Sequence, residues 1–127
     1  MADLDKNQTN DAPKNEVACV DNVIRITVLA PVPTEEAQRI EALTVGYLDR
    51  GEAEYLLIEI NKFIEHSSAA RKIWIALLSH PKIKKAAMYG RNLAMKTIAT
   101  FVITATGRDN ARFFKTEAEA MAWLQEK

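Results

Sequence analysis

Residues 55–78, YLLIEINKFIEHSSAARKIWIALL, constrain the fold more than any other part of the chain. Tyr55, Leu56, Leu57, Ile58 and Ile60 form an apolar run too continuous for a strand with one wet face, which predicts a strand buried on both sides at the centre of a sheet. A polar loop follows, and the chain resumes at Ser67 or Ser68, whose hydroxyl can accept from the first-turn N–H groups of a helix. Ala70, Ile73, Trp74, Leu77 and Leu78 recur along that helix at a spacing that turns them toward the sheet. Strand, serine turn and helix bring Asn61, His66, Ser67, Ser68 and Arg71 to the carboxyl end of a central strand, where open α/β sheets bind ligands.

The flanking segments extend this unit. Residues 1–16 carry almost no large apolar group and cannot offset their own ordering entropy, so a disordered tail is expected there and a single domain over 17–127. Residues 17–20 and 23–30 flank Asp21-Asn22 and read as a hairpin, ended by Pro31 and Pro33, which cannot donate to a ladder. Thr34 is the expected N-cap of a helix with Glu35 and Glu36 in its first turn, Ala37, Ile40, Leu43, Thr44, Tyr47 and Leu48 at helical spacing, and Gly51 just past its end. After the second helix, stopped by His80-Pro81, residues 83–90 supply a short strand. Residues 91–106 are rich in β-branched side chains and alternate like a strand, yet they also carry helical spacing and a terminal Gly107. Parallel strands need a crossover and no other segment is available, so a helix is expected. Residues 111–115 form a last strand, and Thr116-Glu117-Ala118-Glu119 is a capping box opening a final helix with Ala120, Met121, Trp123 and Leu124. The expected architecture is a single α/β domain with a four- to five-stranded mixed, mostly parallel sheet and about four helices.

Composition narrows the function classes. At 127 residues with 48% apolar content, the chain suits one soluble domain, and no apolar run approaches the ~20 residues of a membrane span. The start carries acids and no apolar core of a signal, and the lone Cys19 cannot form an internal disulfide, so a cytoplasmic setting is expected. The 17 acids balance the 17 bases, but none of the acids lies between His66 and Arg108, where Arg71, Lys72, Lys82, Lys84, Lys85, Arg91, Lys96 and Arg108 fall. Two readings follow: segregation in sequence only, or a basic face for an anionic partner.

Two segments resemble a known family. In STAS domains the central strand ends in a pattern close to L-D-L-S-G-V-x-x-x-D-S-S-G, and IEINKFIEHSSAA at 58–70 lies over it without a gap. Glu59 takes the strand acid, Asn61 the loop hydroxyl residue and Ser68 the phosphorylatable serine, while Ser67 replaces an aspartate and Ala70 a glycine. The ending FKTEAEAMAWL at 114–124 is similar to the F-x-[TD]-E-x-E-A-x-x-W-L tail of the SpoIIAA-like branch. The chain thus resembles the STAS/Sec14-type, SpoIIAA-like family from about residue 17 to the end. The resemblance implies a non-enzymatic regulatory or binding domain, related in shape to lipid-binding Sec14 modules.

The remaining constellations are sparse. His66 and His80 have no cysteine or acid at ligand spacing, and Ser67 and Ser68 lack a G-x-S-x-G elbow, so neither a metal centre nor a hydrolase is indicated and no cofactor is expected. Gly90, Arg91 and Asn92 at a strand-to-helix turn offer backbone N–H groups and a guanidinium to an anion. Bases without an interleaved aromatic platform argue against nucleic acid. The leading expectation is a STAS-like module with a protein partner or self-association, acting through Asn61, His66, Ser67, Ser68 and Arg71. The alternative is a carrier or sensor of a lipid or other apolar or anionic small molecule.

Overall fold

A computed structural model describes residues 15–60 and 68–126. Five strands and four helices follow one another as β1 (Glu16–Val20), β2 (Val23–Val28), α1 (Thr34–Asp49), β3 (Tyr55–Ile60), α2 (Ser68–Leu78), β4 (Lys85–Tyr89), α3 (Leu93–Ala105), β5 (Ala111–Phe114) and α4 (Glu117–Gln125). The strands lie in chain order in one sheet, β1 antiparallel to β2 and all other pairs parallel, with β3 at the centre. This is the mixed, mostly parallel sheet expected from the sequence.

Burial on both faces explains the apolar run of β3. Leu56, Ile58 and Ile60 join the larger core, with Ile40 and Leu48 of α1, Trp74, Leu77 and Leu78 of α2, and Met95, Ala99 and Val102 of α3. Leu57 points the other way, into a smaller core with Val23, Ala87, Tyr89 and the Ala120, Trp123 and Leu124 face of α4. Three helices cover one face and α4 alone covers the other.

Local chemistry sets the turns. Asp21 and Asn22 both have positive φ, 52° and 71°, the backbone of a two-residue type I′ hairpin. At the end of α1, Gly51 adopts φ 74°; its N–H bonds the Leu48 carbonyl and that of Glu52 bonds Tyr47, the paired bonds of a Schellman motif. Residues 91–106 contain the helix α3, followed by Gly107 at φ 68°. The Thr116 hydroxyl accepts the Glu119 N–H at 3.2 Å, the N-cap half of the expected capping box, while the Glu119 carboxylate accepts from that hydroxyl in place of the Thr116 backbone N–H.

Two boundaries differ from expectation. Thr34 is the first helical residue of α1, not its cap: extended Pro33 holds the cap position and its carbonyl accepts from Ala37 at 2.9 Å. Order also begins before residue 17. The buried Asn15 carboxamide accepts from the N–H groups of Leu29 and Ala30 and donates to Glu36, tying the start of β1 to the end of β2. The rest of the expected N-terminal tail lies outside the described residues.

Leu56 is fully buried at the centre of the larger core. Leu56→Ala is expected to lower stability by about 2–5 kcal/mol through lost transfer energy and the cavity left behind. Urea denaturation measures this, and a loss near the ~0.5 kcal/mol of a surface substitution would contradict a doubly buried strand.

Candidate functional site at the carboxyl end of the sheet

Strands β2 to β5 are parallel and each leads into a helix, so the N-termini of all four helices gather at the carboxyl end of the sheet. Ser68, exposed, opens α2 beyond β3, and Arg71 stands one turn in, exposed, while Ala70 between them is buried against the core. Asn61, His66 and Ser67 lie outside the described residues. Beside Arg71, an apolar cavity of about 20 Å³ is lined by Ile60, Trp74, Met88, Met95 and Val102. That is room for roughly one water molecule.

The Gly90-Arg91-Asn92 turn lies beyond the neighbouring strand β4. Gly90 is buried and its N–H donates to the Phe114 carbonyl at 3.1 Å. Asn92 is the N-cap of α3, its carboxamide oxygen accepting from Ala94 at 2.8 Å and Met95 at 3.4 Å. The N–H groups of Gly90, Ala94 and Met95 are therefore engaged within the fold, and Arg91 is exposed.

On the opposite face, the same end of the sheet carries a polar network that sequence reasoning missed. The Tyr89 hydroxyl lies 2.9 Å from a Glu59 carboxylate oxygen and 3.3 Å from one of Glu117, and Arg25 forms an ion pair with the other Glu117 oxygen. The chain links β2, β3, β4 and the first turn of α4. Burial, then the bond to Glu59 and the charges of both carboxylates, hold the Tyr89 hydroxyl well above the ordinary tyrosine range. A signal was available: Glu59 is the one acid in a strand otherwise buried, and a charge there needs partners.

The eight bases between His66 and Arg108 do not share one end. Helices run antiparallel to the strands, so the stretch visits both ends in turn. Arg71, Lys72 and Lys96 lie near the starts of α2 and α3, and Arg91 in the turn before α3, at the carboxyl end. At the amino end Lys82 pairs with Asp49 at 3.3 Å, Lys84 with Glu54 at 3.1 Å, and Arg108 donates to the carbonyls of Ser79 and His80 at the end of α2. Lys85 sits on the face of α4, over the Trp123 ring. Cys19 is half-buried, and burial, with Glu52 adding, raises its thiol pKa, which disfavours the nucleophilic thiolate.

The Tyr89 network yields a pH dependence with a defined sign. The folded pKa lies above the unfolded value of about 10, so the contribution of the hydroxyl is complete below that pH and is lost as pH rises through and beyond it. Tyr89→Phe is expected to cost about 1–2 kcal/mol at pH 8, by leaving two carboxylates without their shared donor, and to flatten the loss of stability above pH ~10. Denaturation of both proteins across this range checks it; parallel curves would remove Tyr89 as the cause.

Among curated proteins no relative matches this chain. Solved structures that share its fold include these two. One is an uncharacterised protein of the DUF3478 family with a SpoIIAA-like fold from Shewanella loihica PV-4: 17% identity, 93% of this chain and 99% of that one covered, TM-score 0.70. The other is the anti-sigma factor antagonist SpoIIAA in its unphosphorylated form: 11% identity, 89% and 99% covered, TM-score 0.66. A family model for SpoIIAA-like proteins matches residues 23–125, from the first parallel strand to the last turn of α4, and the chain belongs to the SpoIIAA-like family.

Proposed function

We propose that this protein is a non-enzymatic binding or regulatory module that engages a protein partner through the turn between β3 and α2, with Asn61, His66, Ser67, Ser68 and Arg71 as its contact residues. The observation that carries the reading is the position of Ser68. It is exposed at the first residue of α2, beyond the central strand, and it matches the serine of the STAS pattern without a gap. The SpoIIAA structure that shares the fold is an anti-sigma factor antagonist, described as unphosphorylated, which makes a protein partner and a serine switch the natural comparison.

Physical chemistry supports a partner with negative charge at this end. The α2 N-terminus adds partial positive charge, and Arg71, Lys72, Arg91 and Lys96 share that end. A guanidinium can hold a carboxylate or phosphate through two parallel N–H bonds. Beside Arg71 the carrier reading draws no comparable support. A pocket for a drug-sized ligand has a volume of about 300–1,000 Å³. Between α2 and α3 the described residues leave about 20 Å³.

Affinity capture with wild type and Ser68→Asp is expected to give one partner that wild type retains and the variant loses at least tenfold, because an added carboxylate would oppose an acidic partner. Arg71→Ala is expected to weaken the same partner and to reduce the salt dependence of its binding. Identical capture by all three proteins would exclude the serine turn as the contact surface.

A further inference from the structure

We infer that two copies of this chain associate through the edge of β1 that no described strand covers, pairing antiparallel about Ala18 to make one continuous ten-stranded sheet. The inference starts from the hairpin. In a two-residue type I′ hairpin the residues flanking the turn form a hydrogen-bonded pair, here Val20 and Val23, and hydrogen-bonded and non-hydrogen-bonded pairs then alternate. Ala18 with Arg25 and Glu16 with Thr27 are therefore bonded pairs. The N–H and C=O groups of Val17 and Cys19 point away from β2, and among the described residues no strand lies beyond them. Exposed edges are ordinarily blunted by lysine, proline or a bulge. Residues Val17, Ala18, Cys19 and Val20 have none of these.

A second, independent observation shows that apolar surface continues from this edge on both faces. Among the described residues only five large apolar side chains are substantially exposed; one of them, Val20, ends β1, and another, Leu43, lies on α1. Val20, 54% exposed, lies on the face of α4, where it borders an open groove of about 540 Å³ with Val23, Tyr55, Met121 and Leu124. Leu43, 42% exposed, lies on the opposite face. It shares a side of α1 with Glu36, which bonds Asn15 at the start of β1, and with Tyr47, whose carbonyl accepts from Glu52 beside Cys19. The sequence had placed Leu43 among the inward positions of its helix, and its exposure there leaves apolar surface for another molecule to cover.

A second copy fits this edge better than an unrelated strand because the edge is complementary to itself. An antiparallel pair about Ala18 sets Val17 opposite Cys19 of the other copy, twice over, so that all four outward groups of each chain find partners. Ala18 faces its own counterpart in the closer, non-hydrogen-bonded position, where a small side chain is needed. Glu16 faces Val20, so no like charges meet across the pair. Two bases of α1 and its end are ion-paired, Arg39 with Glu36 at 2.7 Å and Arg50 with Glu52 at 2.5 Å.

Sedimentation velocity across a wide concentration range tests the association, with Ala18→Lys as the disrupting variant. Ala18 is exposed, so the substitution spares the core, while two ammonium groups would oppose each other at the symmetry axis. Wild type is expected to be a dimer whose dissociation constant rises roughly tenfold or more in the variant. A second arm fixes the register. In a Cys19→Ser background, Ala18→Cys is expected to cross-link between copies when diamide takes up the two thiol hydrogens, and Val20→Cys to cross-link far less. A wild type that stays monomeric, or a dimer unaffected by Ala18→Lys and cross-linked no better at position 18 than at 20, would overturn the proposal.

Discussion

The structure depends on the removal of β3 from water on both faces. Every helix meets one of the two cores that this strand joins, α1, α2 and α3 through Leu56, Ile58 and Ile60 and α4 through Leu57. Strand β3 thus joins the two layers at the middle of the sheet, with β2 and β4 on either side of it also contributing to both cores. The coupling also explains the asymmetry of the fold. The face with three helices holds the larger core, while the face of α4 leaves the β1–β2 side of the sheet partly open, and the groove beside Val20 lies there.

The same strand delivers the candidate site. Because β2, β3, β4 and β5 run in one direction, their carboxyl ends collect helix N-termini and the partial positive charge that goes with them. Ser68 and Arg71 inherit this position from β3, and Arg91 inherits its own from β4. On the far face the network of Arg25, Glu117, Tyr89 and Glu59 ties the N-terminus of α4 to three strands at the same end. Glu59 immediately precedes Ile60, the last residue of β3, so the strand that leads into the serine turn is anchored just before it ends.

Much of this was legible in the sequence because the information was local. The unbroken apolar run of β3, the Asp21-Asn22 turn, Gly51, Gly107 and the Thr116 box each state their backbone requirement within a few residues. The helical nature of residues 93–105 was legible for a different reason: the topology of parallel strands required a crossover where propensity alone was ambiguous. What stayed hidden depends on distant partners. Asn15 is ordered by backbone groups at Leu29 and Ala30, and Tyr89 by acids on β3 and α4. The basic stretch left two readings open because sequence order conceals that α2 and α3 reverse direction against the strands. Leu43 was expected inside because helical spacing identifies a stripe but not which edge of the stripe the sheet reaches.

Native-state hydrogen exchange tests the central role of β3 most directly. The amides of Leu56, Leu57 and Ile58 are expected to exchange only through global unfolding, with protection equal to the full unfolding free energy from denaturant titration. The N–H groups of Val17 and Cys19, at the edge, should exchange through far smaller openings in dilute monomer. Exchange of the β3 amides through a partial opening, while α1 and α2 remained protected, would contradict the view that this strand holds the two layers together.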